Sequence, residues 1–306
     1  MLKYGKWSSR SCGYDGLSMH LLKRIIHPLV TPITHICNLS LSTGIFPNSL
    51  KIAKIIPIYK KDDASQIKNY RPISLLPVIS KILEKIAYER LYKFLIDNHI
   101  LNPVQFGFRK GFSTDFAIIQ TCDKIINSLA NKMHIIGVFM DLSKAFDTIN
   151  HEILLKKLHN YGIRGTVLSW FRDYLFHRQQ YVAFHSSTSS KSYITCGVPQ
   201  GSILGPLLFL IYINDIIKSS SLLTYVLFAD DTSVFYSHKC LNTLVNTLNS
   251  ELAKISTWFK CKKLSLNIDK TCFINFNTSQ SQLNIPNNII IDNIPLTEKN
   301  QQSSWV

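Results

Sequence analysis

The stretch FADDTSVF, residues 228–235, places two adjacent carboxylates, Asp230 and Asp231, between two apolar runs. The run SLLTYVL (221–227) precedes it and SVFYS (233–237) ends it, so the acids come at the bend of a predicted β-hairpin. Aspartate is a common turn residue, and a polar turn is one explanation of the pair. Because neighbouring carboxylates repel each other, a metal site is the other explanation.

A third acid, Asp141, stands at the end of another apolar run. Residues 134–142 read HIIGVFMDL, a continuous apolar stretch that predicts a buried strand. In an antiparallel sheet Asp141 and Asp230 can lie side by side, where converging carboxylates destabilise a fold unless a cation neutralises them. Oxygen-only ligands favour Mg²⁺ or Mn²⁺, and two such ions suit phosphoryl transfer. From these acids alone, a turn beside an unrelated strand-end acid remains an alternative.

The pattern around these acids predicts an α+β fold. The order helix, strand, helix, hairpin, helix implies a small antiparallel sheet with packed helices. No core pattern is recognised after residue 276. Helices are predicted from Val78, after Ser113, in 148–162, in 197–217 and in 241–259, and extended segments at 53–61 and 69–77.

The charge of the chain indicates a polyanionic partner. The 306 residues include 34 Lys and Arg against 19 Asp and Glu, a formal net charge of +15, and residues 51–110 hold twelve basic side chains against five acidic ones. This balance favours nucleic acid, bound through its backbone phosphates. Charge alone does not separate nucleic acid from an anionic membrane, and a merely soluble basic surface is equally compatible.

Cysteine usage and hydropathy indicate the compartment. The seven cysteines are dispersed without a C-x-x-C pair, which argues against zinc and suits free thiols in a reducing compartment. The first 16 residues lack an apolar signal core, and the longest apolar run, residues 203–213, is far shorter than a membrane span. We therefore expect an intracellular protein of the nucleus or cytoplasm, without a signal peptide, transmembrane segment or membrane partner.

Four motifs follow one another in the order found in reverse transcriptases: NYRPISLLPVISKILEKI (69–86), FMDLSKAFDTI (139–149), GVPQGSILGPLLFLIYINDI (197–216) and FADD (228–231). The sequences of these motifs resemble those of the non-LTR (LINE-like) retrotransposon branch. Group II intron and retron enzymes, in contrast, usually carry a tyrosine before the ADD pair. The resemblance covers roughly residues 13–276. It implies an α+β right-hand polymerase fold, with a palm and fingers, and RNA-directed DNA polymerase activity.

The resemblance also implies substrates, cofactors and palm residues. The enzyme would add dNTPs to the 3′-OH of a DNA primer on an RNA template, using two Mg²⁺ or Mn²⁺ ions bound by Asp141, Asp230 and Asp231. Phe146 matches the steric gate that selects dNTPs by occupying the space of a ribose 2′-OH; a core aromatic is the alternative. Asp147 matches an acid typical of the branch, and helix N-capping explains it equally well.

Further matches concern the incoming nucleotide. Gln200 and Gly201 match the PQG turn that contacts nucleotide and template; a helix-start turn is the alternative. Arg71, with Lys60 nearby, matches the fingers residues that grip the triphosphate, although lone basic residues are usually solvated. Lys270, in LSLNIDKTCF, resembles the palm lysine proposed as general acid toward pyrophosphate and is equally well explained as an exposed lysine.

The resemblance divides the chain into three parts: an N-terminal helical and loop extension (1–50), a reverse transcriptase domain (51–276) and a polar tail (277–306). Fingers are expected over about 51–133 and the palm over about 134–276. A YLG-like primer-grip hairpin and a helical thumb usually follow the palm in this family. The tail matches neither, which implies an element copy truncated before the thumb. The oligomeric state is left open.

Two other functions compete with polymerisation. A catalytically impaired, nucleic-acid-binding remnant fits the missing thumb and the basic segment 51–110. A two-metal nuclease fits the carboxylates alone. Incorporation of dNTPs that depends on Asp230 distinguishes a polymerase from both.

Overall fold

A computed structural model describes residues 11–277 and 288–299 of the chain. Helices and strands alternate along these residues. The α-helices are α1 (Met19–Arg24), α2 (Ile26–Thr43), α3 (Val78–Asp97), α4 (Thr114–Ala130), α5 (His151–Asn160), α6 (Gly165–Leu175), α7 (Leu204–Ile213) and α8 (Leu241–Cys261). The strands are β1 (Ile52–Tyr59), β2 (Tyr70–Leu75), β3 (His134–Met140), β4 (Gln179–Phe184), β5 (Ser187–Thr188), β6 (Ser192–Tyr193), β7 (Thr224–Phe228), β8 (Asp231–His238), β9 (Cys272–Phe276), β10 (Ile290–Ile291), β11 (Ile294–Pro295) and β12 (Thr297–Glu298).

The chain folds into two compact units, each built from two stretches of sequence. Of the described residues, 11–100 and 149–211 form the first unit, and 101–148, 212–277 and 288–299 form the second. Both units are discontinuous in sequence. The physical reason is pairing between distant strands: β1 pairs with β4 in the first unit, and β3 pairs with β8 and β9 in the second.

The first unit contains a mixed sheet with strand order β2-β1-β4-β5, in which β6 also pairs with β4. The extended segments predicted at 53–61 and 69–77 are confirmed as the antiparallel strands β1 and β2. Burial alternates along the first half of β1, as expected for a strand with one face on a core. Ala53, Ile55 and Leu76 form a buried cluster there.

The second unit contains the predicted antiparallel sheet, so the α+β class is confirmed. Its strand order is β12-β9-β3-β8-β7, and pairing is antiparallel from β9 through β7. The apolar run at 134–142 is confirmed as β3, and β7 and β8 form the predicted hairpin. Helix α4 packs on its core, which contains Phe106, Ile135, Val226, Phe235, Ile274 and Phe276.

The C-terminal residues correct one expectation. The sequence predicts a polar tail without a core pattern over 277–306, but residues 288–299 of it are folded. Ile289 and Ile291 are buried, and β12 extends the sheet parallel to β9. Only a few apolar residues among many Asn, Ser and Gln form this packing. The polar composition of the segment therefore does not predict it. The rest of that tail, and residues 1–10 of the predicted N-terminal extension, lie outside the described residues.

The longest apolar run of the chain forms the predicted buried helix, α7. Each of its side chains except that of Pro206 is buried. Among residues 11–277 and 288–299, no helix has both the length and the apolar character needed to cross a membrane.

Candidate active site

The two adjacent aspartates lie at the turn of the β7–β8 hairpin. Phe228 pairs with Asp231, so Ala229 and Asp230 form a two-residue turn. Ala229 has a φ of +57°, in the left-handed region that such turns require and that glycine or asparagine usually fills. Asp230 therefore occupies the tip of the hairpin, and Asp231 begins β8.

The register of the sheet brings Asp141 to the same end. Met140 pairs with Thr232 in the antiparallel β3–β8 ladder. The next residues along the two strands are Asp141 and Asp231. The register places Asp231 opposite Asp141, with Asp230 one residue farther into the turn. All three carboxylates emerge at one end of two neighbouring strands.

The three carboxylates interact through their charges. The pKa of Asp231 is raised above its usual range, first by partial desolvation and then by the charges of Asp230 and Asp141. Lys270 offsets part of this charge, because its Nζ lies 3.7 Å from Oδ2 of Asp141. The Lys270 side chain is 61% exposed, so solvent weakens this pair.

A loop after α8 holds Lys270 beside Asp141. The Asn267 N–H donates to the Asp141 carbonyl at 2.9 Å, and the Asp141 N–H donates to Oγ1 of Thr271 at 3.3 Å. The Thr271 hydroxyl donates in turn to the Asn267 carbonyl at 2.9 Å. Lys270 is therefore an exposed lysine that also faces the carboxylate of Asp141.

The chemistry of the acidic cluster fits a hard divalent cation. Asp141, Asp230 and Asp231 offer oxygen ligands only, which Mg²⁺ and Mn²⁺ prefer, and a cation among them would relieve the repulsion felt by Asp231. Within the described ranges, however, no group of three or more His, Cys, Asp or Glu side chains is placed closely enough to hold a metal ion.

Replacing Asp231 with asparagine is expected to stabilise the metal-free protein at neutral pH. A carboxyl whose pKa is raised on folding binds its proton more tightly in the folded state. Its contribution to stability therefore falls as pH rises above the unfolded value of about 3.9. In EDTA at pH 7, we expect the melting temperature of D231N to exceed that of the wild type by about 1–2 °C, and the difference to vanish near pH 3.

Thermal melts between pH 3 and pH 7 measure this difference. Asp123→Asn, a change of the same chemistry at an exposed position of α4, is the control and should leave the melting temperature unchanged. A D231N melting temperature equal to or below the wild-type value at pH 7 would contradict the expected repulsion.

The structure bears on the alternative explanations of Phe146 and Asp147. Phe146 is half-buried, and its ring lies edge to face against Phe108 with 6.0 Å between centroids, so it is not an interior core residue. Helix N-capping is wrong as an explanation of Asp147. The cap of α5 is Asn150, whose side chain accepts a hydrogen bond from the Ile153 N–H at 3.1 Å. The helix begins later than its sequence pattern suggests.

In the first unit, the PQG turn docks on strand β2. The Ser74 N–H donates to the Gln200 carbonyl at 2.7 Å. Gly201 has a φ of +122°, and a Cβ at this position would lie 2.6 Å from the Ser74 carbonyl oxygen. Both the backbone conformation and the close approach therefore require glycine.

The two residues predicted to bind triphosphate lie on the β1–β2 hairpin of the first unit. Arg71 pairs with Ile58 in the strand register, and the Lys60 N–H donates to the Asn69 carbonyl at 2.9 Å. Both cationic side chains are exposed. They share one end of the hairpin, and the PQG turn docks farther along β2 at Ser74.

A buried carboxylate that the sequence analysis missed supports the PQG turn. Glu84 of α3 is fully buried; its Oε2 accepts from the Ile203 N–H at 2.7 Å and its Oε1 accepts from Oγ of Ser80 at 3.2 Å. Burial raises the pKa of Glu84, and the charge of Arg178 partly opposes that rise. Glu84 thus holds the chain where it passes from the PQG turn into α7. The one feature of the sequence that could have indicated Glu84 is its place as an acidic residue within an apolar helical stripe.

Comparisons with known proteins identify the family. The family model described as "Reverse transcriptase (RNA-dependent DNA polymerase)" matches residues 58–302. The chain is 32% identical to "Probable RNA-directed DNA polymerase from transposon BS" of Drosophila melanogaster, over 86% of this chain and 30% of that protein.

Two further relatives from Drosophila melanogaster are similar over most of the chain. Identity is 28% to "Probable RNA-directed DNA polymerase from transposon X-element", over 96% of this chain and 32% of that protein. It is 29% to "RNA-directed DNA polymerase from mobile element jockey", over 86% of this chain and 30% of that protein. The chain therefore spans about a third of the length of these relatives. It belongs to the reverse transcriptase family, in the branch of the non-LTR retrotransposons.

Proposed function

We propose that this chain is the RNA-directed DNA polymerase domain of a non-LTR retrotransposon, which extends the 3′-OH of a DNA primer with dNTPs on an RNA template. The observation that carries the proposal is the placement of Asp141, Asp230 and Asp231 at one end of paired strands, in a chain of the reverse transcriptase family. In this proposal the antiparallel sheet of the second unit is the palm. The β1–β2 hairpin of the first unit belongs to the fingers.

The acidic cluster would hold two Mg²⁺ or Mn²⁺ ions through Asp141, Asp230 and Asp231. Bound divalent ions supply activation of an attacking hydroxyl and stabilisation of a leaving phosphate oxygen. Repulsion from Asp230 and Asp141 raises the pKa of Asp231, and a bound cation would relieve that repulsion. Lys270, with its Nζ 3.7 Å from Asp141, places an ammonium group that can donate a proton to departing pyrophosphate.

The first unit would bind the incoming nucleotide. Arg71 offers a planar guanidinium fork and Lys60 a compact ammonium, and both suit phosphate oxygens. The Gln200 side chain can hydrogen-bond a base or sugar, and its backbone is anchored by the Ser74 N–H. The net charge of +15 supports binding of the template and primer through their backbone phosphates.

Phe146→Val is expected to weaken the exclusion of ribonucleotides. If the half-buried Phe146 ring occupies the space of a 2′-OH, its removal admits the ribose. The ratio of kcat/KM for dGTP over GTP on poly(rC)/oligo(dG) should then fall about 10–200-fold. Phe116→Val changes a ring of α4 that is 51% exposed and should leave the ratio unchanged. An unchanged ratio in F146V, with normal dGTP incorporation, would show that Phe146 is not the gate.

Incorporation of labelled dTTP on poly(rA)/oligo(dT) tests the proposed activity. We expect incorporation that requires a divalent ion and is lost in Asp230→Ala. Salt-dependent binding of the same primed RNA without incorporation, even in Mn²⁺, would instead indicate a nucleic-acid-binding remnant. Degradation of a labelled strand that is absent in Asp141→Ala would indicate a two-metal nuclease.

A further inference from the structure

We propose that Gln105 is a positioning residue, which fixes the backbone of the Ala229–Asp230 turn and thereby sets the position of the Asp230 carboxylate. Gln105 belongs to the segment LNPVQFGFRKGFST, residues 101–114, which leads into α4. Its catalytic consequence rests on the proposed polymerase function, whereas its effect on the turn does not. The loop and the hairpin both lie in the second unit.

The side chain of Gln105 bonds the turn through both of its amide atoms. Its Oε1 accepts from the Ala229 N–H at 3.0 Å, and its Nε2 donates to the Ala229 carbonyl at 3.3 Å. Oε1 also accepts from the Gly107 N–H at 2.8 Å. Gln105 is only 2% exposed, so these bonds are shielded from water. The peptide groups on both sides of the Ala229 Cα are therefore tied to one side chain.

The backbone around Gln105 is docked along the same strand. The Leu227 N–H donates to the Val104 carbonyl at 2.9 Å, and the Phe106 N–H donates to the Leu227 carbonyl at 2.8 Å. Together these bonds form a parallel bridge beside β7. Sliding of this segment along the hairpin would break both hydrogen bonds. The position of Gln105 relative to the turn is therefore fixed.

Gly107 shows how closely this segment approaches the turn. A Cβ at Gly107 would lie 2.1 Å from the Ala229 nitrogen, closer than any non-bonded contact allows. The backbone of the loop therefore presses directly on the residue before Asp230.

The conformation of Ala229 explains why the turn needs this support. Ala229 holds a φ of +57°, which an L-residue adopts at a cost unless its surroundings enforce it. Ala229 is itself buried, with 7% of its surface exposed. The hydrogen bonds from Gln105 hold Ala229 in this conformation, and the direction of the next residue, Asp230, follows from it. Misplacement of a reacting group by about 1 Å can cost 100-fold in rate.

Gln105→Met tests the proposal, because methionine keeps the length and volume of the side chain and removes all three hydrogen bonds. In hydrogen–deuterium exchange, the peptide spanning residues 227–232 should exchange at least about tenfold faster than in the wild type. On poly(rA)/oligo(dT), kcat should fall about 10–100-fold while KM for dTTP changes less than about threefold.

Asn249→Leu is the matched control. The Asn249 amide also bonds two backbone groups of the second unit, Asn288 O at 3.1 Å and Ile290 N at 3.0 Å, but does not contact the turn. We expect this variant to lose stability without changing exchange of residues 227–232 or kcat. Wild-type exchange in Q105M, or faster exchange with an unchanged kcat, would overturn the positioning role. If the wild type itself does not extend primers, the polymerase proposal fails, and the exchange data still decide whether Gln105 fixes the turn.

Discussion

Primer extension is expected to fall at least about 1,000-fold in Asp141→Asn, which corresponds to about 4 kcal/mol of transition-state stabilisation. Asparagine keeps the shape of aspartate but removes the charge that would bind a divalent ion, and it leaves Lys270 without the carboxylate 3.7 Å away. The hydrogen bonds of residue 141 to Asn267 and Thr271 use its backbone atoms only. The fold should therefore persist while the activity is lost.

The rate of single-nucleotide addition on poly(rA)/oligo(dT) measures this loss. Asp123→Asn removes the same charge from an exposed position of α4 and should retain wild-type activity. Circular dichroism should show the same thermal transition for both variants to within a few degrees. Retention of more than about a tenth of the wild-type rate in D141N would remove Asp141 from the catalytic set.

The second large effect is expected on stability, in Glu84→Leu. This change removes a buried acceptor from the Ile203 N–H and Ser80, and it leaves the buried Arg178 charge without the nearby carboxylate. Buried polar groups that lose their partners are costly, so we expect the free energy of unfolding to fall by about 3 kcal/mol. Glu84→Gln keeps an oxygen that can accept from Ile203 and should cost less.

Urea unfolding followed by tryptophan fluorescence measures the change, since Trp170 lies buried in the same unit. Glu89→Leu is the control: it alters an exposed acid of the same helix, whose ion pair with Lys85 spans 3.3 Å, and should cost less than about 0.5 kcal/mol. An E84L protein as stable as the wild type would show that the carboxylate does not support the PQG turn.

Local sequence patterns were sufficient to predict the acidic end of the second unit. The apolar runs that precede Asp141 and Asp230 have the length and composition of buried strands, and they form β3 and β7. Polar residues are tolerated at strand ends and in tight turns. The positions of both acids, one after a strand and one in a turn, could therefore be predicted from the sequence alone. The register, which sets Asp231 opposite Asp141, depends on the whole β3–β8 ladder and could not be predicted from either run.

The supporting residues could not be predicted, because their partners are distant in sequence. Gln105 bonds Ala229 across 124 positions, and Glu84 bonds Ile203 across 119 positions. A polar residue in an apolar stretch indicates that a buried partner exists, but not which one. The short strands after residue 288 were missed for a related reason. Their few apolar residues become buried only by packing against elements that precede them in the sequence.

We propose that Asp141, Asp230 and Asp231 form the metal-binding centre of an RNA-directed DNA polymerase. Extension of 5′-labelled oligo(dT) on poly(rA), in Mg²⁺, by equal amounts of folded wild type and Asp230→Asn tests this claim. We predict extension by the wild type and no detectable extension by D230N. Equal extension by the two proteins would contradict the claim.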